Sequence, residues 1–169
     1  MENKNPINYG LTPFDLYQKL IFEEKRLSSN AEWSSYDFFN FHVTATHLFD
    51  DWLKEEKKES QSLMIKIRNT PREMFVVLQV LRDLTNGNKH RKLDNPSEEK
   101  RITNISGRFS DGWYSFYFSR FSIKTTDFQF QIWDLVAIVM GYFHWIFDHD
   151  VSNTIFPERL IDMILSFKK

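Results

Sequence analysis

The chain of 169 residues has no cysteine. Disulfides, thiolate nucleophiles and Cys-ligated zinc are therefore excluded. Glycine and proline number five each, which leaves little room for linkers or disordered stretches. The net charge is only −1, so the chain is not broadly basic, and nucleic acid could meet only a local basic patch. No P-loop, GxGxxG, GxSxG, HExxH or EF-hand loop occurs, which leaves nucleotide cofactors, α/β-hydrolase chemistry and the common metal motifs without support. No cofactor is expected. The start, MENKNPINYG, lacks the basic-then-apolar pattern of a signal peptide, and the most apolar run, IWDLVAIVMGYFHWIF, is short for a membrane span and carries Asp134 and His144. A cytoplasmic protein with no membrane contact is the default expectation. Asn104-Ile105-Ser106 matches a glycosylation sequon but has no export signal to give it meaning.

What the chain has in quantity is aromatic side chains: 17% of the residues, 17 of them Phe. Such rings bury large areas with few rotatable bonds. With 41% hydrophobic and 27% charged residues, the composition suits a single globular domain over 1–169.

Helical signals dominate. Thr12-Pro13 pairs a good N-cap with a proline suited to the first helical position, and Phe14, Leu16, Tyr17, Leu20, Ile21 and Leu27 give the helix an apolar side. A second helix is expected from Ser34-Ser35 to about Lys57, on Phe38, Phe41, Ala45, Leu48, Phe49 and Trp52. Thr70-Pro71-Arg72-Glu73 reads as a capping box opening a third helix, whose stripe is Met74, Val77, Leu78, Leu81 and Leu84 and which Asn86-Gly87 should close. ITNISGRFS, Asp111-Gly112 and WYSFYFSRFSI read as a β-hairpin with a tight turn, and FQFQI as a third short strand. A helix apolar nearly all round follows from about Trp133 to His149, then a last amphipathic helix after Phe156-Pro157. The expected fold is mainly α: a bundle of about five helices with a hairpin, residues about 102–132, inserted before the central apolar helix.

Three places could carry chemistry. On the second helix Asp37, Asn40, Thr44, His47 and Asp51 fall at steps of three and four, so they share a side, and His47 and Asp51 are spaced i, i+4. That pattern suits a carboxylate-oriented imidazole, and it equally suits an ordinary polar helix face. The segment RDLTNGNKHRKLD places His90 between Lys89 and Arg91, cations that disfavour a charged imidazole and leave it able to act as a base. Arg82 could steady charge on a phosphoryl group. The plain alternative is that Lys89, His90 and Arg91 neutralise a helix C-terminus. His144, Asp148 and His149 form the third group; joined to His47, Asp51 and His90 they would make a metal site on facing helices, against the plainer reading of His144 as a core residue. The strand aromatics Tyr114, Phe116, Tyr117 and Phe118 could stack on bases or simply pack the hairpin.

Two resemblances rest on these residues. His47-Leu48-Phe49-Asp50-Asp51-Trp52 and Asn86-Gly87-Asn88-Lys89-His90 resemble segments of the form His-Leu-x-x-Asp-Trp and Asn-Gly-x-Lys-His in a set of small uncharacterised bacterial and phage proteins, over roughly residues 35–149. More loosely, Arg82, Asp83 and His90 resemble the arginine-to-histidine motif of the HEPN superfamily of helical bundles. Seven residues separate Arg82 from His90, against four to six in that motif. The HEPN resemblance implies a metal-independent RNase of a toxin–antitoxin or phage-defence system, active as a homodimer. On that reading Arg82, His90, His47 and Asp51 are catalytic, and Lys89, Arg91 and Asn86 bind substrate. Two other functions stay open: a non-catalytic module that binds a protein partner, and a metal-dependent helical-bundle enzyme.

Overall fold

The computed structural model describes residues 12–29, 35–53, 60–89, 102–106, 122–148 and 153–169. Within them lie six α-helices: α1 (Pro13–Ser29), α2 (Ser35–His47), α3 (Gln61–Asn69), α4 (Arg72–Lys89), α5 (Ile132–Ile146) and α6 (Glu158–Leu165). Strands β1 (Ile102–Ser106), β2 (Ser122–Thr125) and β3 (Gln129–Gln131) form one antiparallel sheet in that order. The architecture is the expected mainly helical bundle with a small sheet inserted before the central helix.

Local signals explain the starts of several elements. Thr12 and Asp15 cap α1 reciprocally: Asp15 N donates to Thr12 Oγ1 (3.2 Å) and Thr12 N to Asp15 Oδ2 (2.8 Å). Ser60 caps α3 by accepting from Leu63 N. Central α5 is apolar on nearly every side, and Leu135, Ile138, Val139, Tyr142 and Phe143 are fully enclosed. It packs against α1, α3, α4, α6 and β3. Burial pushes the Tyr142 hydroxyl pKa well up, so it stays protonated, and it meets Thr70 Oγ1 at 3.5 Å. Gly141 lets α6 close on α5, because a Cβ there would stand 2.6 Å from Leu160 Cδ2.

The structure departs from the expected elements in five places. Helix α3 was not expected; its short apolar pattern lies behind the charged KEEKKES segment. Because α3 ends at Thr70, that hydroxyl turns back to donate to Lys66 O (3.2 Å) instead of opening α4. Helix α4 does not close at Asn86-Gly87 but continues to Lys89. The second helix changes after His47 into a π-helical turn, Leu48–Trp52, in which Leu53 N–H reaches back to Leu48 O. Finally, α5 ends at Ile146, and His149 lies outside the described residues.

In the sheet, Ser106 faces Ser122 and Ile105 faces Ile123. Asp111-Gly112 and the aromatics Tyr114, Phe116, Tyr117 and Phe118 lie outside the described residues. The third strand forms as expected from FQFQI. Beyond α6 the chain returns to this sheet: Gln129 N donates to Phe167 O (3.0 Å) and Lys169 N to Asp127 O (2.9 Å).

Candidate functional site

Of the expected site residues, His47, Arg82 and Asn86 have described side chains, and α2, which ends in the π turn, packs on α4. Asp50, on the π turn, accepts Arg82 Nε at 2.7 Å through Oδ2, and Arg82 Nη2 through Oδ1. This two-pronged pairing uses one edge of the planar guanidinium and fixes its direction. Arg82 remains partly open, its side chain 40% exposed, while the Asp50 side chain is 17% exposed. His47 is the last residue of α2 and half-buried, one turn before Asp50. Asn86 is half-buried on α4, one turn after Arg82, and the helix carries Lys89 a further turn along. Asp51 belongs to the π turn, but its side chain, like that of Lys89, is outside the described residues, as are His90 and Arg91 entirely.

The supposed polar face of α2 does not act as one surface. Asp37 and Thr44 are buried against α1. Asp37 Oδ1 pairs with Arg26 Nη2 at 2.8 Å, and Thr44 receives Lys19 Nζ. Only Asn40 of the first three is exposed. The two helices cross with these residues between them, so α1 supplies the partners that solvent was expected to supply.

Of the third group, His144 and Asp148 are described, and each has a partner outside the group. His144 is exposed, and its Nδ1 bonds the hydroxyl of Tyr17 on α1. Burial raises the Tyr17 pKa, so the phenol keeps its proton and shares the hydrogen bond with Nδ1, where either group can donate. Asp148 takes Asn153 Nδ2 at 3.2 Å. Among the described residues no group of three or more His, Asp or Glu is placed to hold a metal ion.

Two buried polar features were not anticipated. Lys66 is 2% exposed, and its Nζ donates to Trp145 O (2.9 Å) and Asp148 O (3.2 Å) at the end of α5, with the Trp145 ring 6.0 Å away. An ammonium there complements the negative end of the helix dipole. His42, 1% exposed, bonds Thr85 Oγ1 through Nδ1 at 3.1 Å, and Thr85 Oγ1 also meets Thr46 Oγ1 at 3.0 Å. Burial lowers the His42 pKa to about 4. One signal for His42 was present: it follows Phe38 by four residues, on the apolar stripe of the second helix.

Fold and site together define an α-helical bundle with an inserted antiparallel sheet and a charged junction where a π turn meets a long helix. No helix among the described residues is long and apolar enough to cross a membrane. No protein-family model matches the sequence, and comparisons with curated proteins and with solved structures give no match.

Proposed function

We propose that this protein is a HEPN-like domain that binds RNA and cleaves it without a metal. Its working surface is the end of the bundle where the π turn meets α4. The observation that supports this reading is the Arg82–Asp50 pairing. It ties the stretch that carries His47 and Asp51 to the stretch that carries Arg82, Asn86 and Lys89, residues far apart in sequence. The unbroken course of α4 through Asn86-Gly87 adds to it, because Arg82 and Lys89 then sit about two turns apart on one rigid element. A π turn is rare and is frequently found at functional sites.

In this reading His90, next after α4, takes the proton of the ribose 2′-hydroxyl as that oxygen attacks phosphorus. The 5′-oxygen leaves and takes a proton from His47. Arg82, oriented by Asp50, faces the charge that builds on the phosphoryl oxygens, and Lys89 and Arg91 hold flanking phosphates. The test is cleavage of a mixed RNA pool in EDTA by the wild type and by His90→Ala. The wild type cleaves, and the variant, still folded, loses activity by about a hundredfold or more, the usual contribution of a general base. A wild type that neither binds nor cuts RNA refutes the reading; equal cleavage by both removes His90 from it.

A second reading, a module that binds a protein partner without catalysis, has its own observation. Phe22, Tyr36 and Ile155 are large side chains that stand 60%, 76% and 80% exposed. It predicts that His90→Ala changes nothing and that substitutions at those positions abolish partner binding.

A further inference from the structure

Glu23, on α1, is only 7% exposed. Its Oε1 accepts from Lys19, but its Oε2 is buried with no hydrogen-bond partner among the described residues. A carboxylate oxygen out of water and without a donor is costly, and such a group in a native fold calls for an explanation. Glu23 also lines an open cleft of about 250 Å³ between α1 and α2, together with Lys19, Phe22, Arg26, Asp37 and Asn40. This volume is below the roughly 300–1,000 Å³ of sites for drug-sized ligands, so the cleft suits one ring or one small group.

The charges around the cleft indicate what kind of group. Lys19 answers Glu23 and Arg26 answers Asp37, so the four charges cancel. A further cation would arrive in a half-buried cleft without a counter-charge, whereas a neutral N–H donor would not. One lining residue is aromatic: Phe22, which is 60% exposed. Exposed rings of this kind stack on flat neutral rings. Lys19 and Arg26 are long side chains, 53% and 51% exposed, and can shift to admit one.

We propose that the α1–α2 cleft binds a nucleobase bearing an exocyclic amino group, with the amine donating to Glu23 Oε2 and the ring lying on Phe22. Asn40 offers its amide to another edge of the base. As a contact for RNA this rests on the RNA-binding reading, and it adds a base-reading surface apart from the Arg82–Asp50 junction.

The test is titration of the full chain with cytidine and with uridine, which lacks the amine, followed by ligand-observed saturation-transfer NMR. Cytidine should bind about tenfold more tightly than uridine, the scale of one hydrogen bond to a charged acceptor. Glu23→Leu should abolish that preference. Phe22→Ala, at an exposed position, should weaken both nucleosides with Tm unchanged. Equal binding of the two, binding of neither, or a preference that survives both substitutions overturns the proposal and assigns Oε2 to a bound water. RNA cleavage by a protein that binds neither nucleoside refutes this inference alone. Selective cytidine binding by a protein that neither binds nor cuts RNA refutes the RNA reading alone.

Discussion

Acidification from pH 7 to pH 4 should destabilise this protein through His42. The imidazole is enclosed between α2 and α4, with Phe38 and Phe39 edge-on at 5.3 Å and its Nδ1 on Thr85. Burial holds its folded-state pKa at about 4, against 6.5 for a free histidine. Between those values the unfolded chain binds the proton and the folded chain does not, so stability rises with pH across that window. The stabilisation is fully present above about pH 6.5 and is lost as the pH falls towards 4. At about 1.4 kcal/mol for each tenfold difference in proton affinity, the gap is roughly 3 kcal/mol. Urea unfolding should be measured at several values from pH 7.5 to pH 4 for the wild type and for His42→Gln, whose side chain does not titrate but can still bond Thr85. Carboxylates contribute to both curves and cancel in the difference. The wild type should lose roughly 3 kcal/mol more than the variant. Parallel curves would refute the argument, because they would mean that the enclosed imidazole takes a proton as easily as a free one.

Two further outcomes follow from the packing. Asp50→Asn keeps the shape of the π turn but removes the charge that orients Arg82. Since Arg82 is 40% exposed, solvent screens the pair, and the loss in urea unfolding should be about 1 kcal/mol. On the RNA reading, cleavage in EDTA should fall as well. Tyr17→Phe deletes the hydroxyl on His144 but keeps the ring stacked on Phe147 at 4.5 Å, so it should cost about 1 kcal/mol. It should also shift the His144 Nδ1 resonance in ¹⁵N NMR, because that nitrogen loses its partner; an unchanged ring signal would refute the bond.

Where a signal and its partner lie within one turn of each other, the sequence was enough. Thr12 and Pro13 open α1 as expected, and Asp15 completes the cap within four residues. The central helix, expected from about Trp133 to His149 and found over Ile132–Ile146, was legible because so few of its side chains want water. Thr70 shows the limit. Its hydroxyl could serve the helix before it or the one after it, and the choice fell to an unanticipated α3. Asn86-Gly87 shows another: glycine and asparagine tolerate a helix end but do not impose one.

The candidate site was legible as residue types but not as an arrangement. Arg82 could be named from the sequence, yet Asp50 was passed over in favour of its neighbour Asp51, because the i, i+4 spacing from His47 assumes a regular α-helix and Asp50 lies on a π turn. Asp37 and Thr44 were correctly placed on one side of α2, but nothing local says that α1 covers that side. Lys66 and Glu23 have no local sequence signal of burial and are enclosed in the fold.

The sequence by itself determined the helical class, the inserted sheet and the central helix, because caps and hydrophobic periods are short-range and each acts within a turn or two. Only the tertiary structure decided which polar groups are buried and which charges meet. Arg82 finds Asp50 across 32 positions, and Lys66 finds the end of α5 across 79. Such pairings depend on how the helices stack, which is set by the combined apolar surface of the whole chain and not by any one stretch of it.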